Sequence, residues 1–291
     1  MSKSSVALIC VIIGCLALGW AVYEKQDVSV IKYFPPDESQ SFSSFSTEIN
    51  MLSQTDLDEY DIQVISDSTM EAPIYLRQDV SLLYVDGRLK GILSKWKENA
   101  QSISQESTIH GEDSSHFQAI TLHHGEVHYP DDKIKSIQAM SYDELYVIDS
   151  PYSPLESFSK PVNPTQVEWK KTLDHATNQQ LSYFWRQLIA DYKIPSNSYT
   201  IVPLTELYQF QSTPLPNLTQ EKTNQVIGQL WEGLYKNYIL GVSQSQTETN
   251  PLNTFIPIIL FDNNGKHLIV LYRDNRGKNQ QLIQYYSTEP N

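Results

Sequence analysis

The sequence predicts an α+β protein in which antiparallel β-meanders pack with two amphipathic helices, behind a single N-terminal transmembrane helix. Three observations predict it. An uncharged apolar run opens the chain, short alternating segments are joined by Asp-Gly and Asn-Gly pairs, and two capped stretches repeat apolar residues at helical spacing.

The apolar run is Val6–Tyr23. At 1.5 Å per residue it spans roughly 27 Å, close to the hydrocarbon thickness of a bilayer. Lys3 precedes it, and Glu24, Lys25 and Asp27 follow it. The positive-inside rule puts residues 1–23 as a cytoplasmic tip and membrane anchor, with the bulk of the chain extracytoplasmic at the cell membrane. Within the run, Ile12-Ile13-Gly14-Cys15 resembles the lipid-attachment pattern of bacterial lipoproteins, which implies Cys15 as the lipid-bearing residue. Against this, the apolar run continues through Leu16–Tyr23, where that pattern turns polar. A cleaved signal peptide would need a small-x-small site, for which Ala17-Leu18-Gly19 is the best match.

Residues 24–55 read as a stalk, broken by Phe34-Pro35-Pro36-Asp37 and continued by a Ser/Phe-alternating stretch. Residues 56–150 read as β-rich. Ser81–Val85 and Arg88–Leu93 flank Asp86-Gly87, a pair that accepts the positive φ of a type I′ turn. Phe117–His123 and Glu126–Tyr129 suggest a second hairpin about His124-Gly125, continued by 133–140 and 144–148. Pro151, Pro154, Pro161 and Pro164 mark residues 151–164 as a connection. The remainder, 165–291, reads as two helices and a three-stranded meander.

The first helix follows Asn163-Pro164-Thr165-Gln166, an N-cap with Pro at the first helical position and Gln at the third, and stops at Ile194-Pro195. Its stripe is Trp169, Leu173, Leu181, Phe184, Leu188 and Tyr192. Asn217 or Thr219 caps the second helix, whose apolar positions run from Val226 to Ile239. Gly228 and Gly233 each cost this helix about 1 kcal/mol against Ala, so both predict close packing on another element. Strands at 256–261, 267–273 and 280–286 turn at Asn264-Gly265 and Arg276-Gly277.

Composition narrows function. The 291-residue chain has a net charge of −13, which repels phosphate backbones and argues against a nucleic-acid partner. Its only cysteines are Cys10 and Cys15, so the part after Tyr23 has no disulfide, thiolate metal site or Cys nucleophile. No G-x-S-x-G, P-loop or G-x-G-x-x-G occurs. Asp56, Asp58, Glu59 and Asp61 form an acidic cluster, but Asp61 and Asp67 stand where an EF-hand needs Gly and Glu.

Five of the seven histidines fall at His110, His116, His123, His124 and His128. With a turn at His124-Gly125, His123, Glu126 and His128 would share one strand face, with Leu122 and Val127 on the other. Two imidazoles and a carboxylate can hold Zn²⁺ with an open fourth position, or titrate together near neutral pH. A solvated hairpin face accounts for the same residues. The sequence thus predicts a non-enzymatic interaction or regulatory domain at the cell envelope, held by residues 6–23 and meeting a protein or envelope partner. The alternatives are a zinc-dependent envelope enzyme using His123, Glu126 and His128, and a ligand-capturing lipoprotein attached through Cys15.

Overall fold

The computed structural model describes residues 31–52, 59–241 and 250–286. The expected anchor, Cys15, Asp56 and Asp58 lie outside the described residues. Among the described residues no helix is long and apolar enough to cross a membrane.

The larger of two antiparallel sheets is built on β2 (Tyr60–Val85) and β3 (Arg88–Gly111). They turn at Asp86-Gly87, with φ of 48° and 77°, as the sequence predicts. This long hairpin folds on itself where the β2–β3 register breaks between Thr69 and Ile74. One side of β2 pairs with β3 throughout. On the other side, β1 (Ser44–Met51) pairs with residues 62–69, and β4 (Ser115–Tyr129) with residues 76–85. β5 (Lys133–Ser150) and β6 (Ser153–Phe158) complete the order β1-β2-β4-β5-β6. The fold brings β1 over β5, so that Ile49 N donates to Asp143 Oδ2 at 2.8 Å.

Two expectations are corrected here. The stretch 31–52, read as stalk, is part of the folded body. Thr47 and Ile49 are buried and Met51 half-buried at alternate positions along β1, with the Phe45 ring half-covered on the same face, and Ile31 is buried in the main core. Ser136 holds the segment before β1, its Oγ accepting from Phe34 N and its backbone pairing with Pro35 and Asp37. The hairpin at His124-Gly125 does not form. β4 runs through it unbroken, and the chain reverses instead at Asp131 and Asp132, both at positive φ. Gly125 serves close approach, because a Cβ there would overlap the Ile74 side chain.

α1 (Pro164–Asp191) starts as expected, with Asn163 Oδ1 accepting from Gln166 N at 2.9 Å. A 3-10 segment (Leu204–Gln211) follows β7 (Tyr199–Pro203). α2 (Gln220–Leu234) is capped by Thr219 and runs on into a π-helical turn, Tyr235–Ile239. β8 (Ile258–Asp262), β9 (His267–Arg273) and β10 (Asn279–Tyr285) form, with β7, a second antiparallel sheet of order β10-β9-β8-β7.

α2 lies between the sheets. Its Val226, Ile227, Leu230 and Trp231 join Val80, Leu82, Ile120 and Leu122 of the first sheet and Ile259, Phe261 and Val270 of the second in one core. Both helix glycines serve close packing: a Cβ at Gly228 would overlap the Tyr33 ring, and one at Gly233 would lie 2.9 Å from Leu282. α1 covers the opposite face of the second sheet with Phe184 and Leu188, against Ile258, Leu260, Ile269 and Leu271. Its N-terminal half reaches the first sheet, where Trp169 and Leu173 pack on Tyr146, Ile148 and Phe158.

Candidate functional site

Period 2 decides where the histidines go. In an unbroken β4, His123 faces the folded-over half of the hairpin, whereas His116, His124, Glu126 and His128 face the other way. Leu122 and Val127 are likewise on opposite faces. The structure therefore does not bring His123, Glu126 and His128 together. His128 Nε2 lies 3.4 Å from Glu126 Oε2, and its ring stacks on Tyr75 at 3.7 Å. His110 pairs with Asp61 at 2.5 Å on β3. Among the described residues no cluster of three or more metal-ligating side chains occurs.

His123 instead sits in a polar layer inside the first sheet's fold. Its Nδ1 lies 2.8 Å from Asp79 Oδ2, and its Nε2 lies 2.8 Å from Ser141 Oγ. Ser68 Oγ donates to the same Asp79 oxygen at 2.5 Å and accepts from Arg77 Nη2. Beyond Ser141 the chain continues through Thr47, Thr121, Ser81 and Gln105. The Ser141–His123–Asp79 connectivity is that of a nucleophilic triad. However, His123 and Asp79 are fully buried, and Phe42 and Phe45 close over the imidazole. Ser141 Oγ is further engaged by Thr47 at 2.6 Å. The layer pairs most of its buried charge and hydroxyls between two apolar clusters, but Asp79 Oδ1, Arg77 Nε and Ser66 Oγ find no hydrogen-bond partner among the described residues.

The concavity with converging chemistry lies elsewhere. A cleft of about 310 Å³ opens between β4–β5, α1 and the 3-10 segment. β4 and β5 supply His116, Gln118, Tyr142, Glu144 and Tyr146 from one face, α1 supplies Lys170 and Asp174, and the 3-10 segment supplies Glu206 and Tyr208. Glu144 is the hub. Its Oε2 accepts from Tyr142 OH at 3.1 Å and Tyr146 OH at 3.3 Å, and lies 3.1 Å from His116 Nε2. Lys170 Nζ lies 3.7 Å from Glu144, 3.0 Å from Asp174 and 4.2 Å above the Tyr146 ring, whose hydroxyl it also contacts. Tyr146 OH approaches Asp174 Oδ1 at 2.8 Å, and the His116 ring stacks on Tyr146 at 4.1 Å. Tyr142 and Tyr208 stack at 4.6 Å, one from the sheet and one from the 3-10 segment.

These contacts set the electrostatics. Burial pushes the Glu144 carboxyl up, but the His116 hydrogen bond, the His116 and Lys170 charges and the Tyr142 hydroxyl outweigh it and hold it below the ordinary value. Burial, with the Asp174 hydrogen bond and the two carboxylate charges, drives the Tyr146 phenol far up, so it stays a neutral donor. Glu206 stands at the exposed rim, where desolvation pushes its carboxyl up. The cleft thus presents the Glu144 and Asp174 carboxylates bridged by one ammonium, a third carboxylate at Glu206 on the rim, and neutral phenols, a surface suited to hydrogen bonding and ring stacking.

Sequence reasoning reached only His116 of this set. The signal was present in Met140, Tyr142, Glu144, Tyr146 and Ile148, which alternate on one face of β5 and place a carboxylate in an otherwise apolar row. Lys170 and Asp174 at i, i+4 were a second signal. No protein-family model, curated protein or solved structure matches the chain.

Proposed function

We propose that the chain is a membrane-anchored extracytoplasmic protein acting as a non-enzymatic recognition domain at the cell envelope, with the β4–β5/α1 cleft as its binding surface. The apolar run at 6–23 supports the address. The observation that carries the site is the convergence of Glu144, Lys170, Asp174 and Tyr208 on one concavity from three elements distant in sequence. Lys170 bridges Glu144 and Asp174 while Glu206 keeps the rim acidic, which disfavours an anion, and the partner is a neutral, hydrogen-bonding group such as an envelope sugar or a short peptide, laid against the Tyr142–Tyr208 pair.

The open edge of β3 is a weaker docking surface. Lys95 and Lys97 donate to the Ser104 and Ser102 carbonyls of the same strand, a device that blunts edge pairing. Affinity capture from membranes with the full chain tests the reading. Wild type retains a specific envelope component that Tyr208→Ala loses; equal capture by both proteins, or a turnover activity abolished by Glu144→Gln, refutes it. A lipid-attached form of the same protein rests on Cys15, and mass spectrometry of the mature N-terminus decides it.

A further inference from the structure

A second cleft, of about 540 Å³, is walled by Arg88 at the start of β3, Asn253 and Phe255 before β8, Phe184 of α1, and Arg273 and Asp274 at the β9–β10 turn. We infer that this cleft is an oxyanion-binding site for a small ligand carrying phosphate or carboxylate groups.

Charge singles the cleft out. The protein carries 34 acidic against 21 basic residues, yet two of its arginines meet here. A surface arginine in so acidic a chain finds a carboxylate easily, but among the described residues neither Arg88 nor Arg273 forms an ion pair. Aromatic rings hold them instead. The Arg88 guanidinium lies 4.0 Å from the Phe255 ring centroid and that of Arg273 lies 5.2 Å from Phe184. The two phenylalanines themselves touch at 4.8 Å. An arginine held over an aromatic ring is restrained and still charged, a state that favours binding an oxyanion through its fork.

Each guanidinium also has one neutral anchor. Arg88 Nη1 donates to Asn253 O at 3.2 Å, and Arg273 Nε donates to Asn279 Oδ1 at 2.8 Å. A guanidinium carries five N–H donors, so among the described residues most of each fork is without a partner. Lys90, bonded to Asn253 Oδ1 at 2.9 Å, adds a third positive charge beside the rim. Among the described residues the one carboxylate in the wall, Asp274, is already engaged by the backbone N–H groups of Arg276 and Lys278 and by the Gln280 amide. The arrangement favours a ligand with two anionic points, one for each arginine.

Calorimetric titration of the full chain with pyrophosphate and, separately, with citrate at constant ionic strength tests the site. Wild type binds one or both saturably. Arg88→Gln and Arg273→Gln each weaken binding by about tenfold or more, as loss of a charge-assisted hydrogen-bond pair requires. Lys171→Gln, a charge loss outside the cleft, leaves affinity unchanged, and Arg88→Lys falls between wild type and Arg88→Gln. Whether pyrophosphate or citrate binds more tightly assigns the ligand to the phosphate or the carboxylate class. No saturable binding of either anion at millimolar concentration, or equal binding by wild type and both Gln variants, overturns the inference.

Discussion

His124 makes the stability of this fold depend on pH. The imidazole is buried between β4 and the elements packed on it, with Nε2 3.3 Å from Ser136 Oγ and, among the described residues, no hydrogen-bond partner for Nδ1. Burial pushes its pKa from the ordinary 6.5 down to about 4, against the opposing pull of the Asp79 and Glu232 charges. As pH falls, the unfolded chain takes up this proton first. Stability is therefore complete above the unfolded value, is lost as pH falls from about 6.5 to about 4, and changes no further below that. The shift corresponds to about 3 kcal/mol in total, of which about 2 kcal/mol is lost by about pH 5, before most carboxylates titrate. Comparing wild type with His124→Gln in urea, followed by Trp fluorescence, isolates the effect because every other titration cancels in the difference. The variant is less stable near neutral pH, and its deficit shrinks by about 2 kcal/mol between about pH 7.5 and about pH 5. A deficit that stays constant across that range refutes the assignment of His124 as a buried neutral imidazole.

Two further substitutions probe the interior. Asp79→Asn removes the anion that faces Arg77 through Ser68, and leaves a fully buried guanidinium uncompensated. The cost is about 3 kcal/mol or more in chemical denaturation, and a loss below about 1 kcal/mol would show that the polar layer is not charge-balanced as described. Gly228→Ala forces the Tyr33 ring off α2 and costs about 1–3 kcal/mol, despite the better helix propensity of Ala. Its signature is faster proteolysis at residues 31–40, whereas unchanged cleavage with a gain in stability would mean the segment is not docked on α2.

Helices and turns were legible because their signals are local. Asn163 and Thr219 cap through their own side chains, Asp86-Gly87 takes its positive φ from residue type alone, and the α2 stripe needs only its period. The losses came where one signal had two meanings. The Ser/Phe alternation of residues 41–51 has the period of a strand, but its small polar residues resemble a linker, and only the partner strand in β2 decides between them. Gly125 could mean a turn or a close approach, and Ile74, fifty-one residues earlier, makes it the latter.

That single glycine governed the whole histidine reading. A strand assigns faces by parity, so moving the reversal from His124-Gly125 to Asp131-Asp132 put His123 on the opposite side from Glu126 and His128. One cluster in sequence became separate environments in space. His123 is tied to Asp79 under an aromatic cover, His124 is buried without charge, and His116 lies in the β4–β5/α1 cleft against Glu144. Parity also explains why that cleft has the composition it does. The row Met140, Tyr142, Glu144, Tyr146 and Ile148 leaves the apolar core at Met140 and regains apolar cover at Ile148, under α1. Between those points the rings of Tyr142 and Tyr146 still find apolar or aromatic neighbours, but the Glu144 carboxylate and the phenol hydroxyls need polar partners, from one another or from a ligand. Glu144, with His116, Tyr142, Tyr146 and Lys170 around it, is how the chain satisfies the row by itself. Glu206 and Tyr208 at the rim mark where an incoming molecule would complete it.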